Sequence, residues 1–201
     1  MKKELPYFKI EEARGGNQEW FPDRMMRLGG CAAVTACDSC IFFDLYKETH
    51  LYPFDRKNIT KADYIRFGME MKPYLRPRWS GIDTLDIYME GFGKFLEDRG
   101  CLDVNMTPLS GEEPVWKAEE ALTGQIDRGF PLPCLILHHR NPAYDMFDWH
   151  WFLLVGYEKR QEKFMAKIVT YGKYFWVDFQ ELWNTGRKRK GGLILYRGKE
   201  G

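Results

Sequence analysis

The chain has 201 residues, with 44% hydrophobic, 29% charged and 16% aromatic content, a globular composition that excludes disorder. Its 30 Lys and Arg against 29 Asp and Glu leave a formal charge of +1, so there is no electrostatic case for nucleic acid or an anionic membrane as partner. The length predicts one domain spanning residues 1–201 with a core large enough to need no staples.

Met1-Lys2-Lys3 is followed by Glu4, Pro6, Lys9, Glu11, Glu12 and Arg14, so the apolar region of an export signal is missing and a cytoplasmic location is expected. No apolar run is long enough to span a bilayer. Five cysteines, at 31, 37, 40, 101 and 134, are an odd number in a reducing compartment; each is a core residue, a metal ligand or a nucleophile rather than half of a disulfide framework.

The first half reads as helices. From Cys31, apolar residues at Val34, Ile41, Phe42 and Leu45 fit one helical face. Thr60 has the form of an N-cap, and Pro73 marks the end of the helix it opens. Leu85, Tyr88, Phe92, Phe95 and Leu96 make an amphipathic stretch stopped by Gly100. Ser110 with Glu113 reads as a capping box, with Pro114 in the first turn of a helix running through Val115, Ala118, Leu122 and Ile126 to Gly129.

The second half changes period. Pro133–His138, Trp149–Tyr157, Lys163–Tyr171, Tyr174–Val177 and Leu193–Tyr196 read as strands rich in aromatic and branched residues, with a short helix at Phe179–Trp183. The connections are too short for crossovers, so the expected fold is α+β, N-terminal helices packed on a C-terminal antiparallel sheet. Arg187-Lys188-Arg189-Lys190, between Gly186 and Gly191-Gly192, reads as a solvated turn.

Cys31 follows Gly29-Gly30 and heads the first helix. A thiol there meets unpaired backbone N–H groups and the positive end of the helix dipole, both of which favour the thiolate. The glycines give a substrate close approach, and Ala32 and Ala33 leave room. Of the four histidines, His150 opens the most strand-like segment and is the candidate base. Alone, each residue also has a plain packing reading.

The order Gly29-Gly30-Cys31-Ala32-Ala33, then Gly129-Phe130-Pro131-Leu132-Pro133, then His150-Trp151 leading to Val155-Gly156-Tyr157 resembles the papain-like cysteine peptidases. The similar branch is that of the double-glycine leader peptidases of bacteriocin exporters and their soluble relatives, and the match in order runs from Gly29 to about Val177. The resemblance implies a papain-like fold and a thiol protease-like hydrolase acting on a peptide or amide, in which His150 deprotonates Cys31 and later protonates the leaving amine. No cofactor is implied. The family carries an Asp or Asn to orient the histidine; here that slot holds Val169-Thr170-Tyr171-Gly172, so Thr170, the more distant Asp178 or a backbone carbonyl is left for the role. The family also carries an oxyanion-hole Gln just before the cysteine; Asp23–Leu28 has none, leaving Gln18 or Asn17 on a longer loop. Acyl transfer is an equal use of the same dyad.

Two other classes compete. One is a catalytically silent papain-like module that binds a peptide or partner, favoured by those two departures. The other is a redox or zinc protein built on Cys37-Asp38-Ser39-Cys40; mid-helix, that pair reads as core, and no second ligand pair stands at zinc spacing. His138 and His139 would point to opposite faces of a strand and so form no chelate. Asp145 and Asp148 read as a solvated loop.

Overall fold

The computed structural model describes residues 1–198; the last three residues of the expected 1–201 domain, 199–201, lie outside the described residues. In chain order the elements are β1 (Lys2–Glu4), β2 (Lys9–Ile10), β3 (Ala13–Arg14), a 3-10 turn at Gln18–Trp20, α1 (Arg24–Gly29), α2 (Cys31–Tyr46), α3 (Lys61–Met71), α4 (Leu85–Asp98), β4 (Asn105–Ser110), α5 (Val115–Asp127), β5 (Leu132–Ile136), a 3-10 segment at Pro142–Phe147, β6 (His150–Lys159), β7 (Phe164–Thr170), β8 (Lys173–Asp178), α6 (Phe179–Trp183) and β9 (Gly192–Arg197). The fold is mixed α and β, and every strand pairing is antiparallel.

The main sheet has the order β4-β9-β5-β6-β7-β8, and β1 pairs with β6 beyond the end of β5. Strand β6 is its axis. His150 through Tyr157 are all buried; since successive side chains point to opposite faces, both faces are covered there. Trp151 stacks on Tyr88 of α4 with ring centroids 4.4 Å apart, while Phe152 meets Phe147 at 5.2 Å. Helix α4 and the 142–147 segment therefore cover opposite sides of the sheet.

Capping explains the helix boundaries. The Thr60 side chain accepts from the Asp63 N–H, as its position suggests, and Thr84 accepts from Ile87. Gly100 and Gly129 end α4 and α5 at φ 69° and 77°, where an L side chain is strained.

Three expectations are corrected. Helix α2 is not amphipathic: Cys31 through Asp44 are all buried, so it is a central helix wrapped on every side. Its polar residues are held inside; Tyr196 Oη donates to Ser39 Oγ at 3.0 Å, and Asp44 accepts the backbone N–H groups of Leu51 and Tyr52. The Ser110–Glu113 capping box does not form, because Ser110 ends strand β4 and Pro114 occupies the N-cap of α5 with no side-chain bond. Asp148 is not a free loop acid: it accepts from the His139 N–H at 2.8 Å and pairs with His138 Nδ1 at 3.1 Å.

Elements β1 and β4 have no clear pattern in the sequence. Lys2-Lys3-Glu4 is all charge and exposed, and β4 contains Pro108; both features suit strands with a solvated side rather than central ones. No helix of the described residues is long and apolar enough to cross a membrane.

Candidate active site

Cys31 and His150 come to one cavity from different parts of the chain. Cys31 is the first residue of α2, and Gly30, the N-cap, gives no side-chain bond to the helix start. Its neighbour Gly29 closes α1, so the chain turns from one helix into the next across a single residue. A Cβ on Gly30 would run into the Met26 carbonyl. That glycine is required by helix–helix crowding, rather than by substrate access as its sequence position suggests.

His150 opens β6 opposite Ile136 of β5. Its Nε2 lies 2.6 Å from Thr170 Oγ1, at the end of β7. Tyr171 follows, and its ring lies flat on the imidazole, centroids 4.6 Å apart and planes 1° apart, with the phenol oxygen 3.4 Å from Nδ1. The cavity is lined by Cys31, His150, Thr170 and Tyr171, and also by Gln18 and Asp38. Its free space is about 10 Å³, about what one water needs. The site is closed.

The backbone around the histidine is strained. Trp149, just before it, and Tyr171, stacked on it, both have φ of 51°. Bulky residues rarely adopt this conformation, and such outliers gather where surrounding structure over-determines them, often at functional sites. Trp149 is held by its N–H to the Leu137 carbonyl and by its indole N–H donating to His138 Nε2, both at 2.6 Å. With Gly172 at φ 71°, Tyr171 forms the two-residue turn between β7 and β8, where both positions need positive φ.

Electrostatics corrects the expectation of a resting thiolate. Burial pushes the Cys31 thiol up; the backbone N–H groups of Trp151, Ala32 and Cys31 itself pull it partly back. Burial lowers His150 to about 3. Cys31 is 8% exposed and His150 4%, so the closed site holds a neutral thiol and a neutral imidazole. The threonine hydroxyl adds no negative charge that would favour an imidazolium.

The remaining candidates separate cleanly. Thr170 touches the imidazole. Asp178 does not: it caps α6, accepting from the Gln180 and Glu181 N–H groups, and lies 3.5 Å from the Lys163 ammonium. Gln18 lines the cavity, carried there by the 3-10 turn that packs against α1; its Nε2 donates to the Arg27 carbonyl at 3.1 Å, and its Oε1 is buried without a partner. The donor end of that amide is therefore engaged, and its free end is the acceptor. Asn17 is committed elsewhere, accepting from the Glu19 N–H as cap of the same turn.

Asp38 is the residue that sequence reasoning passed over. It lies seven residues after Cys31 on α2, on the same helical face, but within the Cys37–Cys40 segment it looks like one polar residue of a core helix. Cys37 and Cys40 are fully buried, and burial pushes both thiols well up. Cys134 is buried in β5. His139 is spent on packing, its Nε2–H donating to the Glu181 carbonyl at 2.9 Å while Nδ1 accepts from Asn141.

A second cavity, of about 1000 Å³, opens at the other end of α2 and is lined by His50 and Cys101 among others. No hydrogen bond joins those two among the described residues. Three of its basic residues, Lys47, Arg99 and Arg128, are the C-caps of α2, α4 and α5, where cations offset the negative ends of the helix dipoles; Arg197, from the end of β9, also lines it.

No family model and no curated protein matches the chain.

Proposed function

We propose that the chain is a cysteine amide hydrolase of papain-like architecture, with Cys31 as nucleophile and His150 as general base. The observation that supports it is the meeting of a helix-tip thiol and a strand-borne imidazole in one cavity, with the imidazole's Nε2 on Thr170. With Nε2–H donating to Thr170, Nδ1 keeps the lone pair. It takes the Cys31 proton as sulfur attacks the substrate carbonyl, and returns it to the leaving amine. A water then attacks the thioester, or an amine does so in acyl transfer. The uncapped N–H groups at the start of α2 would face the oxyanion, and Gln18 would join them once its Nε2 leaves the Arg27 carbonyl. Because the closed site is neutral, substrate entry has to displace Tyr171 or the Gln18 loop, and the proton transfer follows entry.

The second reading is a silent module. The closed cavity and the absence, among the described residues, of a carboxylate bonded to His150 favour it. Incubation with a proteome-derived peptide library, read by mass spectrometry for new termini, separates the two. Cleavages made by the wild-type chain and lost in both Cys31→Ser and His150→Ala are expected; identical digests from all three would leave the silent module. Thr170→Val should lower turnover by about tenfold to a hundredfold while leaving binding near wild type, since it removes only the group that orients the base.

A further inference from the structure

We propose that Asp38 is the positioning residue of this site: its carboxylate ties the Gln18 loop and the Tyr171–Gly172 turn to the helix that carries Cys31. The inference rests on the proposed hydrolase reading and deepens it. The carboxylate receives the Gly16 N–H at 3.0 and 3.1 Å, the Tyr7 hydroxyl at 2.9 Å and the Tyr64 hydroxyl at 2.7 Å. Gly16 stands two residues before Gln18. Its own carbonyl accepts the Gly172 N–H at 3.0 Å, and the Gly172 carbonyl accepts from Arg14 at 2.8 Å. One chain of bonds therefore runs from α2 through Gly16 to the turn whose Tyr171 lies on the His150 ring.

The packing leaves no slack. A Cβ on Gly15 would overlap the Asp38 carboxylate and one on Gly16 the Tyr64 hydroxyl, so both glycines are needed for the loop to reach the carboxylate. The Val34 carbonyl lies 3.2 Å from the same Tyr64 hydroxyl, as a longer alternative acceptor for its one proton, which holds the ring against the face of α2 between Cys31 and Asp38. Among the described residues no cation takes part. Ionisable groups facing Asp38 are Tyr7 from the N-terminal segment, Tyr64 from α3 and Cys37 on its own helix, with Cys31 and His150 across the cavity. Burial lifts Asp38 to about 6, against the pull of its Tyr64, Gly16 and Tyr7 donors. Below that pH the acid keeps fewer acceptor positions than the carboxylate, and the tie to the loop weakens.

Hydrogen exchange and Cys31 alkylation in the full chain test this without a substrate. Asp38→Ala should speed exchange at 15–18 and 170–173, leave 132–136 unchanged, and raise iodoacetamide labelling of Cys31 by about tenfold through local opening. In the wild type, protection at 15–18, corrected for intrinsic exchange, should fall between about pH 7.5 and about pH 5. Asp38→Asn, whose carboxamide matches the protonated acid in acceptors, should show the wild type's low-pH exchange at 15–18 at every pH, and so no such fall. Unchanged exchange and labelling in Asp38→Ala, or faster exchange throughout the molecule, would overturn the proposal. If Asp38→Ala does not fold, the Asn variant decides: the same pH dependence as wild type overturns it. A library digest that shows no Cys31-dependent cleavage would remove the hydrolase reading while these measurements still decide what Asp38 holds.

Discussion

At the residue scale the site turns on two desolvated groups with opposite signs of charge in their ionised forms. Burial raises the Cys31 thiol and depresses the His150 imidazole, so each shift favours the neutral partner of the other. The histidine shift has a consequence for stability. Its folded value of about 3 lies below the unfolded value of 6.5, so the unfolded chain binds the proton first. The contribution of neutral His150 is fully present above pH 6.5 and is lost as the pH falls towards 3, a change on the order of 4–5 kcal/mol when the shift is converted directly. His150→Gln, whose amide can still donate to Thr170, should flatten this part of the acid limb. Urea unfolding at several pH values measures it; equal slopes for both proteins between pH 6.5 and 3 would place the imidazole in contact with water.

At the element scale α2 decides the geometry. It carries Cys31 at its first turn and Asp38 two turns later, and it is buried all round, so neither residue has freedom to drift. The segments laid against it depend on glycine. Gly16→Ala pushes into the Tyr64 hydroxyl, which is fully buried and already bonded, and should cost about 1–3 kcal/mol as overpacking. Gly100→Ala meets nothing of the described residues within 4 Å and suffers only its φ of 69°, for about 1 kcal/mol. Only the first should also accelerate Cys31 alkylation. Chemical denaturation with peptide mapping of both variants checks the pair; faster labelling in both would mean that global opening, not the loop, exposes the thiol.

For the whole molecule, the sheet is assembled from distant parts of the sequence. Strand β1 pairs with Gly156–Glu158 although some 150 residues separate them, and Leu5 next to it is buried with its N–H on the Val155 carbonyl at 2.8 Å. Deleting residues 1–5 exposes that stretch of β6 and removes one buried leucine, worth about 1.5–3 kcal/mol before the lost strand bonds are counted. Thermal unfolding should shift down by about 2–4 °C for each kcal/mol lost. An unchanged midpoint would show that this charged strand is only laid on the sheet.

The sequence by itself determined the secondary structure wherever local chemistry is strong. Thr60 and Thr84 start helices because their hydroxyls replace missing backbone acceptors, Gly100 and Gly129 stop them because only glycine turns there without strain, and β5 and β6 announce themselves by apolar runs while β7 shows apolar and branched residues on either side of Lys167. It also singled out Cys31 and His150, since a cysteine after paired glycines and a histidine at a strand start are local signals. What the tertiary structure alone decided are relations between distant segments. It chose Thr170 over Asp178 beside His150, because the register of β6 on β7 brings the first alongside while α6 takes the second as its cap. It chose Gln18 over Asn17 through the packing of a 3-10 turn on α1, and it brought in Asp38, whose partners Tyr7, Gly16 and Tyr64 come from three separate segments. It also set the protonation of the pair. A helix N-terminus favours a thiolate, but desolvation is a property of everything packed around it, and here burial outweighs the three N–H groups that point at the sulfur.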